Sequence, residues 1–72
     1  MSMNETMKGR KALLILAIRK GKTLDEIEEE IRMVIESIWD NPDPDVQRKQ
    51  KELFPEGKPT PAVFVARLAH SI

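Results

Sequence analysis

The sequence predicts an all-α fold, a four-helix single domain with a helix-turn-helix-like core. Three observations carry that expectation. Leu24, Ile27, Ile31, Val34, Ile35, Ile38 and Trp39 recur at helical spacing, which winds them onto one stripe at about 3.6 residues per turn. Cap and proline signals punctuate the chain at Thr23, Asp43-Pro44 and Thr60-Pro61. The one short apolar run that a strand could use, Ala12 to Ile18, has no second strand candidate to pair with, and a lone strand is not stable.

The elements follow in order. Residues 1–6 are expected as a flexible N-terminus, with Met3 and Met7 as further candidate starts, and residues 7–72 as the helical domain. The first helix runs over about 7–20 and stops at Gly21, which tolerates the left-handed conformation that ends helices. Gly9 weakens its start. A buried strand is the alternative for so short an apolar run. Leu13, Leu14, Ile15, Leu16 and Ile18 point all round the axis, so this helix needs cover on more than one side, from the rest of the domain or from a second subunit. The second helix covers about 23–40. Thr23 followed by Glu26 fits a capping box, in which hydroxyl and carboxylate each satisfy an orphaned backbone N–H. Asn41-Pro42-Asp43-Pro44 breaks that helix, because proline restricts its predecessor and lacks the N–H of the ladder. Asp43 as N-cap with Pro44 at the first helical position opens a short helix over about 44–53. Phe54-Pro55-Glu56-Gly57 reads as a turn. Thr60-Pro61 opens the last helix, about 61–72, with Phe64, Leu68 and Ile72 aligned at every fourth position and Val65 beside them.

Size and charge narrow the function. A 72-residue chain makes one domain with a small buried fraction and marginal stability. There is no Cys and no Tyr, and His70 is the one His, so disulfides, thiolate metal sites and most catalytic constellations are excluded. Net charge is zero but segregated. Residues 1–22 hold six basic groups against Glu5, residues 23–47 nine acids against Arg32, and residues 48–72 five basic groups against two acids. An acidic middle argues against a general nucleic-acid binder, which needs a basic footprint to displace counterions. It suits contact between blocks or with a basic partner.

The seven-residue apolar run falls far short of the ~20 needed to span a bilayer. Arg19, Lys20 and Gly21 follow it where a signal peptide would carry a small-residue cleavage site. The chain is therefore expected in the cytoplasm, with no membrane partner.

The first two helices and their short connection fit a helix-turn-helix. Ala17 lies four residues before Gly21 and Ile27 six beyond, the spacing at which that motif places a small residue at the helix crossing, a left-handed turn and a buried aliphatic. Many helical hairpins share this spacing.

From Ala17 onward the chain also resembles the C-terminal effector domain of the sporulation-initiation response regulator of endospore-forming Firmicutes. Three stretches carry the likeness: EIEEEIRMVIESIWDN with its late Trp39, the short helix ending in Leu53-Phe54, and KPTPAVFVARLA, where Lys58-Pro59-Thr60 leads into Phe64. The resemblance implies a helix-turn-helix whose second helix reads DNA. This chain departs from the family twice. It has no room for the family's receiver domain and additional helices, and it places Glu26 and Glu29 where the family's reading helix carries arginines. Fold transfers more safely than function.

Around the helix, Glu26, Glu29, Glu30 and Met33 lie roughly opposite the apolar stripe and form the candidate partner surface. In the alternative DNA reading, the contacts would be Arg19, Lys20, Lys22 and Arg32. The plainer account of Asp25, Glu26, Glu28, Glu29 and Glu30 is a solvated helix start, where acids favour the positive end of the macrodipole. A divalent-cation site lacks a His companion, and Asp40 to Asp45 lacks the alternation and glycine of a calcium loop. No metal, cofactor or small-molecule substrate is expected. His70 reads as an edge residue without an acid and a nucleophile beside it, and Trp39 as a core anchor. Met33 among glutamates is either incidental or part of a partner surface. Lys8, Arg10 and Lys11 read as a mobile basic lead or as a helix end packed on the acidic helix. The sequence thus points to a small non-enzymatic regulatory domain acting through protein contacts or self-association. The alternative is a dimeric DNA-binding transcriptional regulator.

Overall fold

The computed structural model describes residues 2–71, with side chains described for residues 5–70. Met1, expected in the flexible start, and Ile72, expected to extend the last apolar row, lie outside the described residues. Four helices form among them: α1 (Ser2–Lys20), α2 (Leu24–Trp39), α3 (Pro44–Leu53) and α4 (Pro61–Ser71). No strand forms among the described residues.

The stop and start signals act as their chemistry dictates. Gly21 has φ +66°. The N–H of Lys22 donates to the Ala17 carbonyl at 2.9 Å and that of Gly21 to the Ile18 carbonyl at 3.3 Å, the paired bonds of a Schellman ending. Thr23 caps α2. Asp43 caps α3 by accepting from the Asp45 N–H at 2.8 Å, and Asn41 accepts from the Asp43 N–H at 2.9 Å to set the turn before it. The Thr60 hydroxyl accepts from the Val63 N–H at 3.3 Å.

α1 packs chiefly on α4 and to a lesser extent on α2, while α2 also touches α3 and α4. The core divides in two. Leu13, Ala17, Ile27 and Ala62 form one buried cluster, flanked by Leu16, Leu24, Ile31 and Val65. Ile35, Phe54 and Phe64 form the other, with Trp39 packed against it. Phe54 and Phe64 stack with centroids 5.6 Å apart, and the half-buried Trp39 ring tilts against Phe54 at 5.8 Å.

The start of the chain corrects the expectation. α1 begins at Ser2, not near Met7, because Glu5 is tied to α4. Both Glu5 carboxylate oxygens accept from Arg67, at 2.6 and 2.7 Å. Lys8, Arg10 and Lys11 accordingly sit in the body of a helix, exposed to solvent, and not in a mobile lead. Gly9 also gains a reason. A Cβ there would lie 1.8 Å from the Ala62 carbonyl oxygen, so the bare backbone is what lets α1 and α4 meet.

Candidate interaction surface

The acidic side of α2 begins at its cap. The Thr23 N–H donates to Glu26 Oε1 at 2.9 Å, and the Glu26 N–H donates to the Thr23 hydroxyl at 3.1 Å, closing the box expected from the sequence. The Thr23 backbone N–H, and after it the Thr23 side chain, hold the Glu26 carboxyl below its ordinary value. Glu26 is thus fully ionised at neutral pH and structurally employed.

The next turns pair acid with base. Lys22 reaches forward from the turn to Glu30, and that carboxylate raises the Lys22 ammonium above its ordinary pKa. Arg32 turns back to Glu29 at 3.0 Å. Both pairs are partly exposed and so worth little in stability, but they fix where the charges point. Two of the four cations of the DNA reading, Lys22 and Arg32, are thereby matched by carboxylates of the helix that would have to approach phosphates. Arg19 and Lys20 stay exposed at the end of α1, with Arg19 beside a shallow depression formed with Ala12, Ile15, Leu16 and Val65. Met33 stands in the acidic face at 64 % exposure. The candidate partner surface is therefore a continuous strip on α2: three carboxylates, each with an intrachain partner, around one uncovered thioether.

A second surface was less legible. The outer side of α1 carries Met7, Leu14, Ile15 and Ile18, each at least half exposed, with Ile18 at 73 %. Their spacing places them on one side of the helix, away from Leu13 and Ala17. The cover expected for this helix on more than one side is supplied on its inner side alone. Val34, expected on the core stripe of α2, is nearly half exposed as well. α1 also carries Lys8, Arg10, Lys11, Arg19 and Lys20, of which Lys11 lies within the patch by spacing, and none of their side chains has a hydrogen bond or ion pair among the described residues.

Two further features escaped sequence reading. Arg67 joins four parts of the chain: besides Glu5, it donates to the Leu53 carbonyl at 2.8 Å and to Glu56 at 2.6 Å, and its guanidinium lies 5.2 Å over the Phe54 ring. Glu5 and then Glu56 raise its pKa, and Arg67 in return holds both carboxyls below their usual range. The available signal was a lone arginine on an otherwise apolar helix. The other feature is an apolar cleft of about 210 Å³ between α2, α3 and α4, lined by Ile38, Trp39, Val46, Leu53 and Leu68 among others, with Lys49 at its border.

The described residues contain no group of three or more His, Cys, Asp or Glu side chains that could hold a metal ion. No described helix is long and apolar enough to cross a membrane. Comparison with protein-family models, with curated proteins and with solved structures finds no match.

Proposed function

We propose that the chain is a small non-enzymatic regulatory domain working in the cytoplasm through protein contacts, on a helix-turn-helix-like scaffold similar to the sporulation regulator's effector domain. The observation that carries this reading is the pairing of Lys22 with Glu30 and of Arg32 with Glu29. A duplex approaching α2 would meet carboxylates and cations already matched to them. Each carboxylate held against a phosphate forfeits a favourable contact and adds repulsion. The scaffold argument rests on Ala17 and Ile27, which pack in one buried cluster on either side of the left-handed Gly21.

The second reading is a DNA-binding transcriptional regulator. It is favoured by the unpaired cations of α1, of which Arg19 and Lys20 adjoin the turn.

Titration with mixed-sequence duplex DNA at low and moderate salt, followed through backbone amide shifts, separates the two. Protein contact predicts no saturable shift across residues 19–33 at either salt. Saturable shifts there, with an affinity that falls steeply with salt, would transfer the assignment to DNA.

A further inference from the structure

We propose that two copies of this chain pair through a two-fold interface in which the outer face of α1 in each copy lies on the outer face of α2 in the other. The inference deepens the protein-contact reading and rests on it, naming a second copy as the partner.

The apolar side of the argument is the α1 patch. Met7, Leu14, Ile15 and Ile18 leave large aliphatic surface in water on one helix side, where scattered single residues would be unremarkable but a contiguous group marks a contact. Met33 supplies one apolar anchor on α2. The domain buries only seven hydrophobic side chains among its described residues, so covering this patch adds substantially to a small core.

Charge selects the occupant. By helical spacing Lys11 lies within the α1 patch and Lys8, Arg10 and Arg19 flank it, and none of these side chains has a partner among the described residues. The complement such a patch requires is an acidic helix face with a small apolar centre. α2 of the same chain is that face: Asp25, Glu29 and Glu30 surround Met33, and Lys22 and Arg32, though paired with Glu30 and Glu29, leave the helix with a net excess of acid. α1 carries five basic groups against Glu5 and α2 six acids against Arg32, so a second copy supplies a near-equal complement and in return receives it. A two-fold arrangement satisfies both helices at once, as an isologous contact must. An α1-on-α1 pairing would set cation against cation. An anionic bilayer would satisfy α1 but leave Met33 and the net acid of α2 unmatched.

The test is charge exchange read by solution mass. The unaltered chain is expected at twice 8.3 kDa at high protein concentration and low salt, dissociating as salt rises. One variant carries Lys11→Glu and Arg19→Glu on α1, another Glu29→Lys and Glu30→Lys on α2. All four positions are solvent-facing or rim residues, and far-UV circular dichroism checks that the helices persist. Each variant alone should be monomeric, and an equimolar mixture should restore the dimer. Ile18→Ser should raise the dissociation constant at least tenfold.

A strictly monomeric unaltered chain would overturn the proposal while leaving the protein-contact reading standing. Should the α2 variant still dimerise alone, the contact is α1 on α1 and the proposed geometry is wrong. A monomeric chain that co-sediments with phosphatidylglycerol vesicles would reassign the α1 patch to lipid. DNA binding through residues 19–33 is read by a different experiment, so failure of the pairing and failure of the underlying reading remain distinct.

Discussion

The two sides of α1 obey opposite rules. On the inner side there is no room even for a methyl group at Gly9, whose backbone meets Ala62, and Leu13 is wholly buried. One residue on, Leu14 is half in water, and Ile18 more so. The same composition thus serves two purposes according to angle around one axis. The inner side is specified by shape, where small residues permit close approach. The outer side carries cations, Lys11 among them, that no described residue answers. The lesson is that one helix can be tightly packed on one side and left open on the other.

Substitutions on the two sides should diverge accordingly. Leu13→Ala should cost about 2–5 kcal/mol, the range for emptying a buried leucine site, enough to unfold much of a domain this small, whereas the neighbouring Leu14→Ala should stay within about 0.5 kcal/mol. Urea denaturation of the pair checks this directly, and equal losses would erase the contrast. Gly9→Ala comes next. Helix propensity alone would favour alanine by about 1 kcal/mol, yet the clash falls on backbone, so a net loss of about 1–3 kcal/mol is expected. A stabilised Gly9→Ala protein would show that α1 and α4 do not meet as described. Thr23→Ala should cost about 1 kcal/mol through loss of the cap, measured as a lowered thermal midpoint, and should leave the α1–α4 contact intact.

The smallest effect concerns pH. Arg67 depresses the carboxyls of Glu5 and Glu56 below the ordinary 4.5. A depressed carboxyl stabilises the fold fully above that unfolded-state value. Its contribution declines as pH drops below 4.5 and is lost once pH falls through the lower folded-state values. Stability should therefore fall in that acid window, and Glu5→Gln should flatten the decline without altering stability trends between pH 6 and 8. An unchanged acid profile would mean that the Glu5–Arg67 bond does not persist in solution.

Much of the fold was legible because its signals are local. The Thr23 and Glu26 box, the Asp43-Pro44 start and the left-handed Gly21 each depend on residues within one turn, and each acts as the sequence suggested. The division of the core was only partly visible, since helical spacing placed Ile27 and Ile35 inside but could not tell that Val34 sits at the edge. Long-range chemistry was hidden. Nothing near Glu5 announces Arg67, 62 positions away, and so the sequence alone predicts a loose end there. Gly9 looked like a weak point because propensity weighs a residue against its own helix, not against the one that crosses it. For the candidate surface, periodicity located the acidic strip and Met33. It could not foresee that the cations of the alternative reading, Lys22 and Arg32, would be claimed by that strip.

The Glu5–Arg67 bond has a consequence for how the molecule comes into being. The partners of the first helix belong to the last, so during synthesis α1 leaves the ribosome long before Ala62 and Arg67 exist to receive it. The hairpin of α1 and α2 alone lacks Ala62 and the whole aromatic cluster except Trp39, and loop closure over most of the chain must precede the decisive contacts. Until α4 emerges, the outer side of the apolar run and the part of its inner side that meets α4 are bare. In that interval the exposed side of α1 and the face that α4 will cover stand in water together, and the emerging chain shows more apolar surface there than the finished fold does.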